Sequence, residues 1–456
     1  MGRGVVRLKA SRGRRRAPRD NIGSSRRRAP TALWLLVRAS RDARTGVQQL
    51  GPGLITGVAD DDPSGISTYT IAGATYGYQL LWTSVVTYPL NVAVQSVCAR
   101  IGLVTGRGLA SVIAGRYGRR WLAPVTVLLL VANVINIGAD IQAIAGVIEL
   151  LSGLPAPALV LPIGAGIALV EVVVPYPQFA RYLKLLTLVI FAYVIGAFVA
   201  KPDWHAALSA TIVPRISLER GSVETLVAIL GTTISPYLFF WQTSAEVEEE
   251  GRQGLSATAM PRSQLRALLR AARLDVASGM LLANVGFYFV VLTSAATLHG
   301  SAQGDVQTAA QAAEALRPLA GNYATLLFAL GIIGTGLLAI PVLAGASAYA
   351  VSELFDWPEG LSATFRRAPQ FYGVIALSTL LGVALSFSHL SEMRSLYLAA
   401  ITNGLIAPVL LLFIMGIAGD RDVLGEFACG RGTLLLGWAT TALMLIAALA
   451  MLALQF

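Results

Sequence analysis

Two short runs hold the residues best equipped for chemistry. ADDDPSG, residues 59–65, sets Asp60, Asp61 and Asp62 ahead of Pro63 and Gly65, inside a segment whose flanks (Leu54, Ile55, Val58; Ile66, Ile71, Ala72) are apolar. GTTISPY, residues 231–237, sets Thr232, Thr233 and Ser235 between Gly231 and Pro236. The donors on offer are all oxygen: the Asp62 carboxylate, carbonyls freed near Ala59 and Gly65, the Thr232 carbonyl and the Ser235 hydroxyl. Neither broken segment contains Cys, His or Met. Hard oxygen donors suit magnesium, manganese or calcium better than zinc, copper or iron, which favour nitrogen and sulfur. Asp62 is the leading ligand because it precedes Pro63, where a helix must open. Successive helical residues point about 100° apart, so Asp60, Asp61 and Asp62 cannot all face one ion, and a neighbour such as Asp61 is left to a supporting role. The bland alternative is three carboxylates at a water-exposed helix end. One strong carboxylate among small side chains also leaves room for a partly hydrated ion, which suits magnesium.

Composition says what must position these residues. With 55% apolar and 13% charged residues over 456 positions, the chain has about half the charge of an ordinary soluble domain. Apolar runs of about twenty residues mark membrane spans, and eleven are legible: roughly 51–73, 78–99, 121–150, 157–175, 182–200, 223–245, 274–297, 323–352, 371–388, 394–417 and 433–455. The chain is expected to be an all-α integral membrane protein. Arginines cluster after the second span (Arg100, Arg107, Arg116, Arg119, Arg120) and after the sixth (Arg252, Arg262, Arg266, Arg270, Arg273), and none follows the first or third. The positive-inside rule then puts the amino terminus in the cytoplasm and the carboxyl terminus outside, in the cell membrane. Spans one and six carry the two runs quoted above. Proline removes a backbone donor, and lipid cannot satisfy the carbonyls it frees, so both breaks must line a polar cavity. Equivalent breaks in spans one and six predict a five-plus-five inverted repeat, about 51–200 and 223–417, with an extra helix at 433–455 and the binding site where the half-helices meet. A carboxylate at bilayer depth costs at least roughly 2.5 kcal/mol. Lys184 and Arg394 stand near the ends of their spans, and no lysine or arginine lies deeper in a span to offset it, which leaves a bound cation.

These motifs resemble a known family. GPGLITGVADDDPSG (51–65) is similar to the opening span of the Nramp divalent-metal transporters, whose hallmark is Asp-Pro-Gly-Asn. ARIGLVTGRGLA (99–110) resembles the loop after their second span, ILGTTISPYLFFWQ (229–242) takes the place of their Met-Pro-His segment, and DVLGEF (422–427) resembles a late cytoplasmic motif. The resemblance spans residues 51 to about 430 and implies a LeuT-like fold and alternating access. Asp62 and Pro63 match the hallmark; Ser64 replaces its glycine and Gly65 its metal-binding asparagine. Ser235 stands for a methionine thioether that favours manganese and iron, and Tyr237 and Gln242 stand for two histidines. Asp140 matches a family aspartate on the third span, while Ala143 replaces its companion glutamate. The departures resemble the Nramp-related magnesium transporters and imply magnesium as cargo, with manganese also carried and no proton coupling. The alternative is the proton-coupled manganese and iron branch. Asp61, Asp140, Thr233, Tyr237 and Gln242 are then accessory residues of the cavity.

Other readings have less in their favour. No enzyme motif sits in a fitting context, and the three histidines, His205, His299 and His389, all fall in expected outer loops, leaving no imidazole relay. A divalent-cation channel or a sensor would also use a broken helix. The net charge of +10 is a property of the tail: residues 1–50 carry fourteen Lys/Arg against Asp20 and Asp42. Residues 1–46 are expected to be a disordered cytoplasmic segment drawn to anionic lipid, with no nucleic acid as partner and no cofactor. AEVEEEG (245–251) reads as a solvated helix end.

Overall fold

The computed structural model describes residues 51–174, 186, 188, 190–252, 254, 260–300, 317–387 and 392–454. The basic tail lies outside them, as does His389. Every regular element among the described residues is helical. The order begins α1 (Pro52–Ala59), α2 (Pro63–Tyr76), α3 (Trp82–Thr105), α4 (Leu109–Tyr117), α5 (Arg119–Ser152) and α6 (Ala156–Val173). It continues with α7 (Ile190–Ala200), α8 (Trp204–Ile212), α9 (Arg220–Thr233), α10 (Pro236–Arg252) and α11 (Arg262–Thr297). The remainder is α12 (Arg317–Phe355), α13 (Pro369–Leu385), α14 (Glu392–Ala418), the single turn α15 (Arg421–Leu424) and α16 (Arg431–Ala453).

Seven helical segments among the described residues are long and apolar enough to cross a bilayer, counting α9 and α10 as one. The expected first span is the broken pair α1 and α2, and the second is α3, which turns by 79° into α4. Shorter apolar helices, α7 and α13, stand at the fifth and ninth positions. Proline accounts for both breaks. Pro63 and Pro236 each open a half-helix, where a missing N–H costs nothing and the fixed φ is already helical. Asp60–Asp62 separate α1 from α2, and Ile234 and Ser235 separate α9 from α10.

Small residues bring the half-helices against their neighbours. A Cβ on Gly57 would lie 2.1 Å from the Gly279 carbonyl carbon, so α1 and α11 meet backbone to backbone, the close approach that small residues permit between membrane helices. Asp275 on α11 caps the start of α1, its Oδ2 accepting from Gly53 N at 2.7 Å. On the other side α5 packs along α12, α13 and α14 and brings Asn136 and Asp140 to the first break.

Acidic side chains join the helices at the arginine-rich end. Gly106, at φ +62°, lets α3 end, and the next glycine lets the Glu353 carboxylate sit against the start of α4. Glu353 accepts from Ser111 N at 2.8 Å and Ser244 Oγ at 3.0 Å, joining α12 to α4 and α10. Glu248 accepts from Tyr349 Oη at 2.9 Å and Ser362 N at 3.1 Å. The solvated reading of 245–251 is therefore corrected: Glu246 and Glu250 are each only 5% exposed. The pattern misled because α10 runs on beyond apolar depth into a polar packing layer between helices.

Candidate functional site

Asp62 occupies the N-cap of α2, in extended backbone at φ −65° and ψ 169°. Its Oδ1 accepts from Gly65 N at 2.7 Å, satisfying an amide that the helix start leaves open, and from the Ser64 hydroxyl at 2.6 Å. Its Oδ2 accepts from the Asn136 amide at 2.6 Å, and that amide also lies 3.5 Å from Asp140 Oδ2. Asp60 Oδ2 accepts from Asn91 Nδ2 at 3.0 Å, and the same nitrogen donates to the Thr233 carbonyl at 2.7 Å. One asparagine of α3 thus clips the two breaks together.

The side of Gly65 that lacks a side chain faces oxygens from both breaks. A Cβ there would lie 3.0 Å from Thr232 Oγ1, 3.2 Å from the Asp60 carbonyl oxygen and 3.5 Å from Asp62 Oδ1. Among the described residues Thr232 Oγ1 has no hydrogen-bond partner, and the same holds for Asp60 Oδ1, Asp140 Oδ1, Asn136 Oδ1 and both carboxylate oxygens of Asp61. Asp60, Asp61, Asp62 and Asp140 are each 2% exposed or less, which removes the water-exposed helix end as an explanation. None of the ion pairs among the described residues involves these four. The space is rich in acceptors and poor in donors, an arrangement that stays costly until a cation or protons enter.

No group of three Cys, His, Asp or Glu side chains among the described residues is arranged to hold a metal ion by itself. A ligand set here has to mix one carboxylate with carbonyl, hydroxyl and amide oxygens. The expected residues fall into three groups. Asp62, Gly65, Thr232 and Asp140 are brought together. Ala59, Ser235 and Thr233 lie at the breaks with their polar groups engaged: Tyr237 Oη donates to the Ala59 carbonyl at 2.7 Å, Ser235 Oγ donates to the Thr232 carbonyl at 2.6 Å, and Thr233 Oγ1 donates to the Ile229 carbonyl. The carbonyl turned toward Gly65 is that of Asp60. Asp61 points elsewhere, toward Gly286 of α11, and Gln242 lies two turns along α10, donating to Glu246 at 2.8 Å. Sequence reasoning missed Asn91 altogether. Its only signal was a polar residue in an apolar span, shared with Asn133, which instead reaches Ser347 at 2.9 Å.

Comparisons with known proteins agree with the fold. A family model described as natural resistance-associated macrophage protein-like matches residues 53–454. The divalent metal cation transporter MntH of Mycobacterium tuberculosis is 27% identical over 416 residues, covering 88% of this chain and 90% of that protein. A crystal structure of the Eremococcus coleocola manganese transporter, in complex with an aromatic bis-isothiourea compound, superposes with a TM-score of 0.72 at 19% identity over 92% of this chain and 87% of that one. Mhp1, a nucleobase-cation-symport-1 family transporter, shares the fold more distantly, with a TM-score of 0.54 at 14% identity over 89% and 91% of the two chains. With its broken helices in the first and sixth spans of a LeuT-like bundle, the chain belongs to the Nramp family and is a multi-pass integral membrane protein.

Proposed function

We propose that this protein carries divalent metal ions across the membrane by alternating access, binding them between the two helix breaks. The observation behind this reading is the space beside Gly65, faced by Thr232 Oγ1, the Asp60 carbonyl and Asp62 Oδ1 from both half-helix pairs. In Mg²⁺ or Mn²⁺ complexes such oxygens stand nearer the ion, so inward movement or an intervening water completes the shell. Relatives named as manganese and divalent-metal transporters support manganese as a cargo. The donor set supports magnesium beside it: no sulfur is available at Ser235, and a glycine and a serine leave space for retained water. The arginine distribution supports a cytoplasmic amino terminus.

Proton-coupled transport of manganese or iron is the second reading; relatives named as manganese transporters support its manganese, and the position of Asp140 one amide away from Asp62 supports its coupling. Uptake of Mn²⁺ and Mg²⁺ into proteoliposomes, with lumenal pH recorded in the same vesicles, tests both. Saturable uptake that each ion inhibits for the other supports the carrier. Non-saturating flux would make the protein a channel, and binding without flux would make it a sensor.

A further inference from the structure

A groove of about 600 Å³ opens between α3, α11 and α16, away from the helix breaks. Tyr88, Val92, Ser96 and Arg100 line it at four-residue intervals, one face of α3. From Arg100 to Tyr88 the helix rises about 18 Å, close to one leaflet of a hydrocarbon core about 30 Å thick. The walls are mainly apolar, completed by residues such as Leu436 of α16, and the charged lining residues are Arg100 and Arg273, both at the arginine-rich end. Among the described residues no carboxylate lines the groove. Arg100 is held in place by donating to the Phe427 carbonyl at 2.8 Å, Arg273 is exposed, and Ser96 Oγ has no hydrogen-bond partner.

We propose that this groove binds one anionic glycerophospholipid of the leaflet at the arginine-rich end, with its phosphate at Arg100 and Arg273 and an acyl chain running past Val92 toward Tyr88. A basic mouth over an apolar slot one leaflet deep matches that amphiphile in charge, polarity and length. A soluble anion would leave the apolar length unfilled, and a neutral lipid would leave the arginines without a counter-charge. The site is independent of the basic tail and of the ion carried.

Native mass spectrometry of the full chain, extracted from mixed phosphatidylglycerol and phosphatidylcholine bilayers, tests it. Wild type retains one phosphatidylglycerol in preference to phosphatidylcholine. The retained ratio falls about fivefold in Arg273→Gln and about twentyfold in Arg100→Gln/Arg273→Gln. Arg366→Gln/Arg367→Gln, two exposed arginines outside the groove, leaves the ratio unchanged. The tail is present in every variant, so its own lipid attraction cancels, and the Arg273 single variant leaves the Arg100–Phe427 contact intact. An unchanged ratio in both groove variants, equal retention of the two lipids by wild type, or a dimer without retained lipid would overturn the proposal.

Discussion

The Asn136 amide donates to Asp62 Oδ2 across 2.6 Å, fixing from α5 the carboxylate that caps α2. Asp62 therefore has two separable roles, a helix cap and a negative charge. Asparagine caps about as well as aspartate, whereas alanine costs about 1 kcal/mol. Asp62→Asn is expected to abolish metal uptake with little loss of thermal stability, and Asp62→Ala to lose both. Uptake by Asp62→Asn near the wild-type rate would remove the charge from the site.

Asn91 joins the Asp60 carboxylate to the Thr233 carbonyl. Leucine at this position leaves both acceptors buried and unsatisfied. The expected cost is about 1–3 kcal/mol, together with slowed transport, because the breaks lose the clip that sets their separation. Denaturation in detergent and initial uptake rates measure the two effects; a variant that is destabilised yet transports normally would limit Asn91 to folding.

Ser235 is expected to set selectivity by what it does not supply. A thioether offers manganese a direct ligand and magnesium little, so Ser235→Met is expected to shift flux toward manganese by roughly tenfold, equivalent to about 1.4 kcal/mol. Competition uptake on both proteins measures this. A wild type indifferent to millimolar magnesium, or an unchanged ratio in the variant, favours an ordinary manganese carrier.

Coupling can be separated from flux at Asp140. Ala143 and Gln242 carry no titratable group and Tyr237 no imidazole, so no carboxylate–imidazole path continues from Asp140 through these three positions, and metal entry into proteoliposomes is expected without stoichiometric acidification. Acidification that tracks metal entry and vanishes in Asp140→Asn would establish the proton-coupled reading instead.

Glu359, in the loop after α12, has its pKa pushed up to about 9, first by burial and then by the Glu353 and Glu248 carboxylates. The folded protein thus binds a proton that the unfolded chain releases from pH 4.5 upward. Native stability from this group is fully present below that pH and is lost as pH rises toward 9. Glu359→Gln is expected to match wild type near pH 4.5 and to exceed it by a margin that widens as pH rises toward 9. A stability difference independent of pH would show that this carboxyl is not protonated in the folded state.

What the sequence alone determined is what depends on local chemistry and periodicity. Twenty-residue apolar runs placed the spans because lipid admits little else, and Pro63 and Pro236 placed both breaks because proline cannot continue a helix's hydrogen bonding. Asp62 was legible for the same reason, since the residue before such a proline caps the half-helix that begins there. Contacts between distant segments depended on the tertiary structure. Asn91 and Asn133 look alike in sequence, yet one clips the breaks and the other bonds Ser347 of α12, 214 positions away. The break turned Asp61 toward Gly286 and Asp62 toward Asn136; with Asp62 in extended backbone no helical period sets the angle between them, and packing against α5 and α11 chose the directions. The acids of 245–251 look solvated as a string of charges, yet two of them are buried, and α12 with the loop after it gives Glu248 its partners.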